Sequence, residues 1–438
     1  MPFGLLFMKP TAQRLCRRLE RAAANAAAEA GVEAAAKAAK AAGAKVGSAA
    51  AVGMAAALLQ SVGTGRGGRR PPRQLRARLV LSTTDAIEAA LRLCLIRHAQ
   101  FSSQKSSHGM QVPVVLLVGE HSARGHSWLM QGLPICGLRL QVLPTYVAAD
   151  GKALRSLLST IGCEPSQPAG AVAAILFEPI SSQSLDSLGP AGASCLRFVC
   201  AEYGIPLLSD ETRCGLGRCG ELLLAESWGV APDCTILGEA LGGGIASVAA
   251  VIYDHKVLRG ALPSTATTMN DNTSSHIGLA TLTALEQWAP RTRIAADAFE
   301  DAVREALRIS PQEDAVAVNG RGFLICVRLK HAGLAAAAPA GWPPNLLMHA
   351  YLLRVHAVRV RPSGGDPWAV LIELPVVSSL ASVDRVCLAL RKMVLAVVSG
   401  DAEQLRHAAF GHTIGVASVR TSLQSQVGRS GASLIAGV

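Results

Sequence analysis

The sequence predicts an α/β fold, a mainly parallel sheet sandwiched by helices, with a smaller α+β domain at its C-terminal side. Three observations lead there. Runs such as VPVVLLVG (112–119) and AVAAILFEPI (171–180) are almost continuously apolar rather than alternating, as strands covered on both faces are. Amphipathic helical segments separate these runs, which is what crossovers between parallel strands require. After about residue 300 the order changes to helix, several strands and helix, which marks a second architecture.

The elements follow in order. LVLS (79–82) is a first strand and leads into the helix TDAIEAALRLCLIRHA; VPVVLLVG is the second strand and LQVLP (140–144) the third. AVAAILFEPI precedes the helix GASCLRFVCAEYG, which returns to the strand IPLLSDE (205–211). CTILGEA and SVAAVIYD continue the sheet, and a helix over SSHIGLATLTALEQW closes it. A separate helix, IAADAFEDAVREALRI, then precedes GFLICVRLK, AVRVRP, AVLIELP and a helix around SVDRVCLALRKMVLAVV. The domains expected are an Ala/Arg-rich segment with linker (1–78), a large domain (79–300), a small domain (301–400) and a loose polar tail (401–438). Aromatic residues are only 4%, so the cores must be aliphatic.

Charge narrows the function classes. Residues 1–78 hold 14 Lys and Arg against 3 Asp and Glu, which accounts for the whole net charge of +11. The body is therefore neutral, and nucleic-acid binding by the protein as a whole loses its electrostatic basis. The Arg-rich, acid-poor N-terminus has the composition of a transit peptide for a mitochondrion or other organelle; an exposed Ala-rich helix is the alternative. No window offers the ~18 uninterrupted apolar residues of a membrane span. The 11 cysteines form no CxxC pair and no Cys/His cluster at zinc spacing, so they read as buried or incidental thiols.

In open α/β sheets ligands sit at the carboxyl ends of strands. Four polar features fall there: Ser82-Thr83-Thr84, Glu178-Pro179, Asp210-Glu211 and Glu239, the last followed by the triplet Gly242, Gly243 and Gly244. A single strand-end acid is usually a cap or turn former, but four together point to a site.

The stretch IPLLSDETRCGLGRCGELLLAESWGVAPDCTILGEALGGG resembles the signature of the class-III pyridoxal-phosphate-dependent aminotransferases: a strand ending Asp-Glu, a GxGRxG turn, a GVxPD stretch and a strand ending G-K-A-x-G-G-G. LSTTDAIEAALRL, ILFEPI and TATTMNDNTSSHIGLATL extend the likeness over roughly residues 79–400. The resemblance implies the fold type I large domain of that cofactor class, amino-group transfer from an amino acid or amine to a 2-oxo acid, and a dimer, homodimeric or heterodimeric with a related aminotransferase.

It also implies roles. Asp210 matches the aspartate that pairs with the pyridinium nitrogen, and Thr268 the phosphate-binding threonine. Ser82, Thr83 and Thr84 match the phosphate loop, with Thr83 in place of a glycine; His121 stands where the family has a stacking Tyr or Phe, and Arg213 where it has a glutamine near the ring hydroxyl. AVLIELP lacks the family's substrate-carboxylate arginine. Glu239 stands at the Schiff-base lysine, and a carboxylate cannot form an imine. In that pocket it would face Asp210, while Arg213 is placed to neutralise it. Lys256 lies beyond the next strand. The expectation is a catalytically degenerate family member in which the cofactor is held non-covalently at best; the alternatives are an active transaminase and a non-catalytic regulator of a competent paralogue.

Overall fold

The structure is a computed structural model that describes residues 17–22, 73–102, 112–119, 138–165, 171–181, 185–259, 272–308 and 315–411. The chain divides into two compact units, residues 1–182 with 186–294 and residues 183–185 with 295–438.

The first unit is built on one seven-stranded sheet. Its strands are β1 (Leu75–Val80), β2 (Val114–Val118), β3 (Arg139–Leu143), β4 (Val172–Phe177), β5 (Leu207–Asp210), β6 (Cys234–Leu237) and β7 (Ala249–Asp254), ordered β1-β7-β6-β5-β4-β2-β3. From β3 to β6 all pairings are parallel; β7 is antiparallel to both its neighbours, so β1 again runs with β6. Every residue of β2, β4, β5, β6 and β7 is buried, which is why these segments read as unbroken apolar runs. Successive side chains serve opposite faces. Val115 and Leu117 pack with Ala86, Ile87, Ala90 and Leu91 of helix α1 (Thr83–Ser102). On the other face Val114 and Leu116 join Ala148 of α2 (Thr145–Ala149), Leu154 and Leu158 of α3 (Gly151–Thr160), and Leu196 and Val199 of α4 (Gly189–Glu202). A short α5 (Leu224–Ser227) follows β5, and α6 (Asn272–Leu307) follows β7.

The second unit has an antiparallel four-stranded sheet, β10-β11-β9-β8, made of β8 (Val316–Arg321), β9 (Leu324–Leu329), β10 (Arg361–Pro362) and β11 (Ala369–Glu373). Helices α7 (Ala332–Ala337), α8 (Pro344–His356), α9 (Leu380–Val398) and α10 (Ala402–Phe410) complete it around an aliphatic core with Phe299 and Phe323. The covered parallel sheet and the smaller α+β unit are those the sequence predicts.

Three details differ from expectation. The basic stretch before residue 79 does not end as a linker, because β1 begins at Leu75: Ala77 and Leu79 are buried while Arg76 and Arg78 are partly exposed, a period of two suited to an edge strand. Two expected helices are one, running through Pro290, with Leu282 packed in the first unit's core and Ala296, Phe299 and Val303 in the second's. The expected loose tail opens with α10, whose polar average conceals a helical stripe of buried Ala402, Leu405 and Ala409.

The N-terminal segment also contributes to the fold. Residues 17–22 are helical; Leu19 is 1% exposed in a core cluster with Ala77, Leu79, Ile252 and Leu282. Glu20 Oε1 accepts the Ala77 N–H of β1 at 2.8 Å, and Arg18 reaches Glu286 and Thr283 of α6. This turn packs beside edge strand β1. Leu19→Ala should cost about 2–4 kcal/mol of stability in urea unfolding, and Leu19→Met less than about 1.5 kcal/mol. Equal stability of Leu19→Ala and the unaltered chain would show that the turn is not part of the folded unit.

Candidate active site

Strands β4, β5, β6 and β1 end on a common edge, and the polar groups gather there. Glu178 follows β4 and is buried. Asp210 closes β5, 2% exposed, and its Oδ1 accepts the Thr212 N–H at 2.9 Å, which orients the carboxylate. Beyond β6 the chain reaches Gly238. A Cβ there would lie 3.0 Å from both the Thr212 carbonyl and Thr83 Oγ1, so the small residue lets β6 end against the start of α1.

The next residue uses that proximity. Glu239 is exposed, opens a 3-10 turn (Glu239–Gly242), and its Oε1 accepts the Thr83 N–H at 3.2 Å. Ser82 caps the same helix: its carbonyl accepts from Ala86 N–H at 3.0 Å, and its Oγ accepts from Asp85 N–H at 3.1 Å while donating to Asp85 Oδ2 at 2.8 Å. Two carboxylates, Asp85 and Glu239, therefore sit at the positive end of a 20-residue helix. Gly243 and Gly244, both left-handed at φ 62° and 76°, then turn the chain back towards β7.

Several expectations are answered here. Ser82, Thr83, Thr84, Asp210, Arg213 and Glu239 lie on or beside this edge, in the turns and helix start just described. His121 and Thr268 lie outside the described residues. The expected Glu239–Arg213 ion pair is not formed: the Glu239 carboxylate bonds the Thr83 N–H instead, although Gly238 packs against both Thr83 and Thr212. Glu239 is exposed and bonds the Thr83 N–H of α1, whereas Asp210 is buried and accepts from the Thr212 N–H. Lys256 sits in the turn after β7, and since Tyr253 pairs with Cys234 this is the opposite end of the sheet from Glu239. Lys152 is exposed at the start of α3, beyond the edge strand β3. Sequence reasoning missed Thr212; Gly238 was visible as the glycine that ends an apolar run and opens the G-K-A-x-G-G-G pattern, but its packing against Thr83 was not.

The thiol nearest the edge is inert. Cys214 Sγ lies 4.0 Å from the Asp210 carbonyl, fully buried, and burial foremost pushes it well above its ordinary value, with Glu211, Cys219, Asp210 and Glu178 adding to the effect. Among the described residues no group of three or more His, Cys, Asp or Glu is placed to hold a metal ion.

Behind the edge a set of buried carboxylates fixes the frame. Glu211 accepts from the N–H groups of Leu224 and Ala225 at 2.5 and 2.9 Å and so holds the start of α5. Asp233 Oδ2 accepts from Arg197 Nη1 at 2.7 Å and from Leu207 N–H at 2.9 Å, tying α4 and β5 together just before β6. Glu226, fully buried, pairs with Arg73 Nη1 at 2.8 Å. Burial pushes Glu211 up to about 7, against its two N–H bonds; the Glu226 charge raises it further and Ser209 lowers it.

A covered parallel sheet with polar groups at the carboxyl ends of its strands is the arrangement in which α/β folds bind ligands. The chain belongs to the class-III aminotransferase family, whose model (aminotransferase class-III) matches residues 69–341, over half of its length. It is 32% identical over 165 residues to ornithine aminotransferase 2 of Staphylococcus aureus (strain N315), covering 36% of this chain and 41% of that protein. With the mitochondrial ornithine aminotransferase of Arabidopsis thaliana it shares 38% identity over 88 residues, 20% of this chain and 18% of that one. The chain thus matches less than half the length of these curated relatives. In fold it is similar to the ornithine aminotransferase of Toxoplasma gondii ME49, with TM-score 0.58 and 22% identity over 74% of this chain and 73% of the other. The same protein crystallised with oxidised glutathione has partial occupancy of pyridoxal phosphate at its active site.

Pyridoxal phosphate is the cofactor expected of this family. The residues present fit it only in part. Asp210 is buried and oriented at a strand end, as a partner for a ring nitrogen must be. Among the described residues of the first unit no lysine follows β6 at this edge, and the first amide of α1 already holds a carboxylate.

Two predictions arise from this geometry. Glu211 has an ordinary value of 4.5 and a folded value of about 7, so between these the folded chain binds more protons than the unfolded one. The stability contributed by its neutral form is full below 4.5 and is lost as pH rises through about 7. Urea unfolding at about pH 5 and about pH 8 should show a smaller loss in Glu211→Gln than in the unaltered chain; an identical loss would count against the assignment. Gly238→Ala should destabilise by about 1–3 kcal/mol through overpacking against Thr212 and Thr83, and a neutral result would mean the two elements part easily.

Proposed function

We propose that this chain is a class-III aminotransferase-fold protein that has lost the family's covalent catalysis. The observation that supports the reading is the Glu239 carboxylate bonded to the start of α1, at the position that the resemblance aligns with the family's lysine. A carboxylate has no amine with which to hold an aldehyde, and it cannot exchange an amino group. When bound, pyridoxal phosphate supplies an electron sink for the substrate carbon. Asp210, oriented by Thr212, would stand against its ring nitrogen; Ser82, Thr83, Thr84 and Thr268 would face its phosphate, His121 its ring and Arg213 its hydroxyl. None of them replaces the missing amine.

Class-III aminotransferases are typically dimeric and act on amino and 2-oxo acids, so the expected partners are a second copy of the chain or a lysine-bearing relative. The Arg-rich N-terminus is proposed to direct the chain to a mitochondrion or other organelle. Any cleavage would then fall before Arg17, since residues 17–22 pack into the first unit. Among the described residues no helix is long and apolar enough to cross a membrane.

The test is a visible spectrum with added pyridoxal phosphate, before and after borohydride, for the unaltered chain and for Glu239→Lys. A borohydride-reducible band in Glu239→Lys alone is the expected result, and ornithine is the first amino donor to try on that variant. A reducible band at this site in the unaltered chain would overturn the reading by revealing another lysine.

A further inference from the structure

The long helix that opens this edge has a positive N-terminus aimed at the site, and helix N-termini of this kind are natural seats for phosphate. Here the seat is not open. The Thr83 N–H, first of the helix, is held by Glu239 Oε1 at 3.2 Å, and the Asp85 N–H is held by Ser82 Oγ at 3.1 Å. The Asp85 carboxylate stands in the same turn, bonded to Ser82 Oγ at 2.8 Å. An incoming phosphate would meet two fixed negative charges and would have to displace Glu239 to gain the Thr83 amide.

This contact is built into the chain. Gly238 brings the end of β6 to Thr83, where even a methyl group would sit 3.0 Å from Thr83 Oγ1. The 3-10 turn that follows starts at Glu239 itself, so the carboxylate leaves the backbone directly beside the helix end. A lysine at the same position could not accept from the Thr83 N–H; it would leave that N–H, and its own positive charge, available to an anion. The substitution that removes the amine therefore also introduces a competitor for phosphate.

We infer that Glu239 is an internal anion occupying the amide end of α1, and that it competes there with the phosphate group of any phosphorylated ligand. The inference rests on the reading of this edge as a degenerate cofactor site, and it adds a second, independent barrier. Loss of the lysine abolishes the covalent link; the carboxylate weakens the non-covalent binding that would remain.

The experiment separates the two. Pyridoxine 5′-phosphate carries the ring and phosphate but no aldehyde, so no lysine can fix it covalently. Its affinity would be measured by calorimetry for the full-length chain, Glu239→Ala and Glu239→Gln, with pyridoxine as the phosphate-free control and melting curves to verify folding. Glu239→Ala should bind pyridoxine 5′-phosphate about tenfold more tightly than the unaltered chain, as release of a charge-assisted amide bond implies, with Glu239→Gln between them. Pyridoxine should show no such gain. Equal affinities across the three proteins, an equal gain for pyridoxine, or no binding by any of them would each overturn the inference. Borohydride reduction of the unaltered chain with pyridoxal phosphate decides the degenerate-site reading separately, because a lysine adduct is independent of whether Glu239→Ala gains phosphate affinity.

Discussion

The hydrogen bond from the Thr83 N–H to the Glu239 carboxylate is the contact on which the character of this site depends. It joins the end of β6 to the start of α1, and it exists because Gly238 has no side chain to keep them apart. The same small region holds Asp210 in place through Thr212, whose carbonyl lies against Gly238. Recognition of a ring nitrogen, of a phosphate and of a reactive carbonyl would all converge on these few residues. On the proposed reading, the carboxylate of Glu239 bears on both the covalent link and the phosphate seat.

The edge can be this open because its frame lies deeper. Asp233 fixes the approach from α4 to β5 through Arg197 and Leu207, and Glu211 fixes the return through α5. A buried ion pair such as Asp233–Arg197 adds little net stability over an apolar core, but removing one partner leaves the other uncompensated, so it enforces one arrangement of the strands. The Asp-Glu and Pro-Asp pairs of the sequence thus divide their labour: Asp210 faces the edge, whereas Glu211 and Asp233 face inward. The frame that presents the edge is thus held by residues other than those on the edge itself.

Much of this was legible in the sequence, for physical reasons. Strands buried on both faces announce themselves as continuous apolar runs, and β2, β4, β5, β6 and β7 were read in that way. Edge strand β1 was read short because its arginines suggested a linker, although on an edge they need only reach solvent. Helix α10 was lost in the average polarity of its segment, since three buried positions carry its packing. At the site, residue types and their order along the chain were clear, but side-chain partners were not. The pairing of Glu239 with Arg213 was reasonable from charge alone; the partner found is the backbone N–H of Thr83, a donor that side-chain charge does not reveal.

The most direct test of this account is a crystal structure of the unaltered chain grown from phosphate-containing solution at neutral pH. The account predicts the Glu239 carboxylate on the Thr83 amide, with no anion at the start of α1. A phosphate bound to that amide, with Glu239 turned away from it, would contradict the account.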